Sequence, residues 1–176
     1  MKTQFYFTRR VQGFFLLIAL VTTVAGCSKD DDPPAMRSKT YTYAFNTGQV
    51  GAGTAYNGTH AKTLTATVRL DEQANNTTKV TVTLTNTING QKYPTHVHDG
   101  RTPTAGDPLP YVQTPNAAIF AAEITGNGGT ATASNVSTMT YENLTTMYSG
   151  FFVVHDITIM STTDLKTYLV VGAFGK

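Results

Sequence analysis

The sequence predicts an all-β domain, a β-sandwich or flattened barrel of about eight short strands with little helix. Three observations predict it. Runs of apolar side chains alternate with threonines, the pattern of strands with one face buried and the other in water. Threonine, valine and tyrosine are abundant and long charged side chains scarce, which suits pleated, half-buried surfaces better than helices. Polar turns bearing glycine, asparagine or proline separate the runs at short intervals.

The N-terminus is expected to stand outside this fold. Lys2, Arg9 and Arg10 precede an apolar run from Val11 to Ala25 that ends in small residues, the pattern of an export signal over residues 1–26. That run is short for a membrane-spanning helix. Val24-Ala25-Gly26-Cys27 resembles a bacterial lipobox, which implies cleavage before Cys27 and a lipid on that cysteine. The chain is then expected in the bacterial cell envelope as an outer-membrane lipoprotein, anchored by that lipid. The other reading is a secretory signal with an incidental cysteine. Cys27 is the only cysteine, so no intramolecular disulfide can form. Residues 27–37, charged and proline-bearing, read as a solvated tether to a domain over residues 38–176. Lys29 followed by three aspartates resembles the surface-export signal of some Gram-negative lipoproteins, and equally an ordinary acidic spacer.

Taking Lys2, Arg9 and Arg10 from the 13 basic residues leaves 10 against 11 acidic ones, a net charge of −1. With no basic excess and no cluster of Lys or Arg, nucleic acid is not an expected partner. A protein or small-ligand partner is not named by the sequence.

Within the domain, residues 40–45 alternate as a first strand, and the glycine-rich stretch 48–58 reads as a turn or bulged edge. Leu64, Ala66, Val68 and Leu70, then Val80, Val82 and Leu84, alternate with threonines on either side of the polar turn 71–76. This is the strongest hairpin signal in the chain. Residues 93–99 form the next strand. Residues 100–115 carry Pro103, Pro108, Pro110 and Pro115, too many for a central strand, and are expected to form a long ordered loop. Strands follow over 117–124 and 130–134, about the turn Gly126-Asn127-Gly128-Gly129. Residues 141–148 are the one helical turn, stopped by Gly150, before apolar strands over 151–157 and 168–174.

The chemistry concentrates in the strand over 93–99. His96 and His98 are two apart, so they share one face while Val97 takes the other. If Val97 is core, both rings point away from it, and removing His98 should cost little stability. His155 ends the apolar run Phe151-Phe152-Val153-Val154 and can reach the same place from a neighbouring strand. Three neutral imidazoles suit copper or zinc and leave a fourth position open. Alternatively, His96 and His98 hydrogen-bond loop carbonyls, or Asp99 and Asp107, and simply hold the loop. Asp99, Asp107 and Asp156 are candidates to orient the rings. His60, in a turn, is expected to be a plain surface residue. No nucleophile–base pattern or phosphate loop appears.

In order along the chain, His96-Val97-His98-Asp99-Gly100, the loop to Pro115, the stretch 141–150, Phe152-Val153-Val154-His155 and the closing strand 169–174 resemble the CHRD (chordin-like) domain family. The family's final Gly-Glu-Ile-Arg-Gly pattern is replaced here by Tyr168-Leu169-Val170-Val171-Gly172. CHRD domains in turn resemble Cu/Zn superoxide dismutase. His96-Val97-His98 is similar to its copper-binding His-Val-His, Val153-Val154-His155 to its later Val-Val-His, and Gly172-Ala173-Phe174-Gly175 to its closing Gly-Val-Ile-Gly. The resemblance implies an immunoglobulin-like or dismutase-like Greek-key sandwich with His96, His98 and His155 as copper ligands. It also marks departures. Between Asp99 and Asp156 the only histidine is His155, so the bridging histidine and the zinc ligands are missing. The disulfide cysteines and the anion-guiding arginine are missing too, with Tyr168 nearest in register to the latter. A binding module that can hold copper or zinc through His96, His98 and His155 is therefore expected ahead of the alternative, a copper-dependent dismutase-like oxidoreductase.

Overall fold

A computed structural model describes residues 35–47, 56–61, 63–159 and 165–176. Cys27, the export signal, most of the tether and most of the glycine-rich stretch 48–58 lie outside them. The described strands belong to one compact unit, Pro34–Lys176.

Among the described residues, nine strands form two antiparallel sheets. They are β1 (Ser38–Tyr43), β2 (Thr65–Glu72), β3 (Thr78–Thr85), β4 (Lys92–Gly100), β5 (Tyr111–Pro115), β6 (Ala121–Thr125), β7 (Ala131–Ser137), β8 (Ser149–His155) and β9 (Tyr168–Gly175). One sheet runs β1-β2-β3-β7. The other runs β5-β4-β8-β9, with β6 also paired to β4. The all-β sandwich predicted from alternation is therefore what forms.

The β2–β3 hairpin shows why. Ala66, Val68 and Leu70 face Leu84, Val82 and Val80 in register, and all six are buried, while the intervening threonines face outward. Between the sheets, Tyr43 of β1 stacks on Phe152 of β8 with ring centroids 5.0 Å apart. Val97, Phe152, Val154, Leu169, Val170 and Phe174 fill the same core from the other sheet.

The structure departs from the sequence reading in three places. The proline-rich segment contains β5, which pairs with the far half of β4 through His98↔Pro115 and Gly100↔Tyr111. β5 is an edge strand with a register shift, the setting in which a proline's missing N–H is tolerated. Next, no strand begins at residue 117. Residues 116–120 loop out between β5 and β6, and this excursion drops Ile119 and Phe120 into the core, both fully buried. Its ends stay tied to β4, because Val97 N donates to Phe120 O at 3.1 Å and Asn116 N donates to Val97 O at 2.7 Å.

Finally, Gly150 does not stop the helical turn. The π-helical turn Asn143–Met147 ends at Tyr148, whose backbone is extended, and Gly150 already lies in β8. A Cβ on Gly150 would sit 2.5 Å from His98 O and 2.6 Å from the Tyr148 hydroxyl oxygen. Glycine is required there by the close approach of β8 to β4, not by a turn.

Candidate metal centre

His96 and His98 point to the outer face of their sheet because Val97, between them, is buried in the core. β8 lies next to β4 with His96 opposite Val153 and His98 opposite Phe151. His155 is two residues beyond Val153, so strand parity puts it on the same outer face. At that point β8 and β9 shift register, from Val154↔Val170 to His155↔Tyr168, leaving Leu169 as an extra residue. Such a bulge bends the strand that carries the extra residue, here β9. The His155 Nε2 atom lies 3.2 Å from His96 Nε2.

One ring nitrogen from each of His96, His98 and His155 lies within 4.8 Å of the other two. Two nitrogens on one ion at 2.0–2.1 Å bonds are about 3.3 Å apart in a tetrahedral arrangement. The His96–His155 pair already has that spacing. In the metal-free protein one of these two nitrogens carries a proton and donates to the other.

The surroundings set the tautomer of His98. His98 Nδ1 donates to Val112 O at 2.8 Å, which leaves Nε2 as the lone-pair nitrogen. That Nε2 is buried and has no hydrogen-bond partner. His155 Nδ1 lies 3.1 Å from the Thr167 hydroxyl, which can donate or accept. Burial pushes the His96 ring down to about 3, helped by His155 and His98. It pushes His155 down to about 4, helped by His98. His98 is also lowered by burial, against the upward pull of the Val112 and Thr114 carbonyls and of Asp99. All three rings are neutral at neutral pH, the form that binds metal.

The outer face is less open than its direction suggests. His98 and His155 are each only 2% exposed, and His96 is half-buried. A second apolar cluster of Tyr111, Val153, Tyr168 and Val171, with Leu109 and Phe151 against it, covers this side of the sheet. The Tyr111 ring lies 4.8 Å from that of His98, and the Tyr168 ring meets His155 edge-on at 4.5 Å. The two phenols are joined by a 3.1 Å hydrogen bond between their hydroxyls.

The aspartates singled out in the sequence are engaged elsewhere. Asp99 accepts from Asn116 Nδ2 at 2.7 Å and from the Tyr148 hydroxyl at 2.8 Å. Asp107 pairs with Arg101 in the loop before β5. Asp156, buried, accepts from the Tyr56 hydroxyl at 2.5 Å and the Thr158 hydroxyl at 2.7 Å. The groups on the ring nitrogens are instead the Val112 carbonyl and the Thr167 hydroxyl. His60 is not a plain surface residue: it is half-buried, and its Nε2 lies 3.0 Å from the hydroxyl of the core residue Tyr93.

Both readings of the histidine pair thus have a counterpart. His98 does hold the proline-rich segment, through Nδ1 on Val112 of β5, and its other nitrogen has no hydrogen-bond partner. No family model matches the chain, and no curated protein matches it either.

Proposed function

We propose that this chain is a bacterial cell-envelope lipoprotein whose CHRD-like β-sandwich is a binding module holding copper or zinc on His96, His98 and His155. The observation that carries the reading is the buried, unpartnered Nε2 of His98 in a group of three imidazoles that each bring one nitrogen within 4.8 Å of the others. Leaving such a nitrogen without a partner costs about 1–3 kcal/mol, and a metal ion offsets that cost. A bound ion would supply a positive centre for a further ligand, and the chain's own residues fix the rings around it.

Metal analysis of protein purified without a histidine tag tests this. Stoichiometric copper or zinc is expected, and metal-free protein that takes up neither ion on titration would sink the reading. A superoxide assay on the loaded protein then separates a binding module from the dismutase-like alternative. Among the described residues, only these three histidines group as ligands, which favours the module.

Anchoring is a separate expectation, supported by the lipobox-like Val24-Ala25-Gly26-Cys27. Cys27→Ser should move the protein from membranes to the soluble fraction, since a single residue carries the lipid. Variant protein that still sediments with membranes after a high-salt wash would contradict the anchor.

A further inference from the structure

We infer that the outer face of β4 and β8 carries a second site, a cleft beyond the histidines that binds a neutral saccharide unit. It is independent of whether a metal binds. Along that face β4 presents His96, His98 and Gly100, while β8 presents His155, Val153, Phe151 and Ser149. The last β4 position has no side chain. A Cβ on Gly100 would sit 2.6 Å from Ser149 O, so the neighbouring strand demands glycine there. The row of side chains therefore ends in a gap. Phe151 and Ser149 flank it, Arg101, Thr102 and Pro110 wall it, and together they bound a cleft of about 410 Å³. Small-ligand sites fall at about 300–1,000 Å³.

The lining groups say what the cleft takes. The Thr102 and Ser149 residues are exposed, and neither hydroxyl has a hydrogen-bond partner among the described residues. Arg101 N donates to Pro110 O at 2.8 Å, its Nε to Leu109 O at 3.2 Å, and its Nη2 pairs with Asp107. The guanidinium is thus fixed before a ligand arrives, which lowers the ordering cost of binding. Asp107 also cancels its charge, so the cleft offers an anion no net attraction. Two unused hydroxyls, one guanidinium edge and the rings of Phe151 and Pro110 match a pyranose. Such a sugar has hydroxyls that both donate and accept, and an apolar C–H face that packs on a ring.

The test is an NMR titration of the ¹⁵N-labelled, detergent-solubilised mature protein. The probes are the methyl glycosides of glucose, galactose, mannose and N-acetylglucosamine, with glucuronate as the charged counterpart. At least one neutral glycoside is expected to shift the amides of Gly100, Arg101, Ser149 and Phe151 saturably, with half-saturation at about 10 mM or below. Glucuronate is expected to bind more weakly. Neutral glycosides that shift none of these amides at about 50 mM overturn the inference, as do shifts confined to another face. Glucuronate binding more tightly than every neutral probe overturns the charge argument and with it the neutral ligand.

Two variants supply a second arm. Ser149→Ala and Thr102→Val each remove one hydroxyl at an exposed position, where the fold does not depend on it. Each is expected to weaken the bound glycoside by about fivefold, the worth of one hydrogen bond. An affinity that neither variant moves places the sugar outside this cleft and overturns the assignment. Should either variant fail to fold, the map of shifted amides in the unaltered protein decides alone.

Discussion

His98→Ala should abolish metal uptake and lower the stability of the fold. The loss of affinity is expected to exceed about a hundredfold, since even residues that only orient a ligand are worth about 10–100-fold. Titration calorimetry with the ion found on the native protein measures it. Unchanged affinity would remove His98 from the site and with it the three-histidine arrangement. The stability cost revises the expectation from strand direction alone. The ring is 2% exposed, lies against Tyr111 and donates to Val112 O at 2.8 Å. Truncation leaves a cavity and an unpartnered carbonyl, costing about 2 kcal/mol. Urea unfolding of the two metal-free proteins reads this directly, and equal midpoints would mean that the outer face collapses around the gap.

Metal-free protein should lose stability as the pH falls below about 6.5, the range in which histidine in an unfolded chain takes up its proton. In the folded chain His155 resists protonation down to about 4 and His96 down to about 3. Between those values the unfolded state binds more protons, so acid pulls the equilibrium toward it. The stabilising effect of these neutral rings is complete above pH 6.5 and fades as pH drops toward their folded values. Each such ring contributes a slope of at most about 1.4 kcal/mol per pH unit. Unfolding midpoints at pH 7, 6 and 5 should fall in order, and more steeply with metal bound, because protonation also expels the ion. The ion pair of Arg37 with Glu72 does not confuse this window, since it holds the Glu72 carboxyl down at about 2. Midpoints that are level from pH 7 to pH 5 would contradict the buried neutral histidines.

The sequence made some of this legible and hid the rest for identifiable reasons. β2 and β3 declare themselves because each exposes one face, so burial writes a period of two into the residues. β5 is hidden because Pro110 and Pro115 bound it, and only its place at a sheet edge makes that harmless. The excursion over residues 116–120 looks like strand because Ile119 and Phe120 are apolar, yet they enter the core from a loop. The triad itself was readable from the spacing of His96 and His98 and from His155 ending an apolar run. Its burial was not, because Tyr111 and Leu109 come from the proline-bearing segment that reads as a loop, and Tyr168 begins a strand buried on both faces, whose apolar run does not say which face covers the histidines. Val112 acts through its carbonyl, which any residue possesses, and Thr167 is one threonine among many.

The corner between β1 and β9 bears on how the protein behaves among its own copies. β9 is an edge strand, and an edge's unpaired carbonyls are a template on which another chain can add a strand. Here the Tyr43 hydroxyl donates to Ala173 O at 3.0 Å, while the Tyr41 hydroxyl and Lys39 Nζ donate to Gly175 O at 2.5 Å and 3.0 Å. Farther along, Asn46 N donates to Leu169 O at 2.9 Å. Acceptors along this edge are thus occupied from within the same molecule. Strand-by-strand self-association along β9 would first have to strip these donors away. This resistance to aggregation needs no cross-link, which suits a chain with a single cysteine.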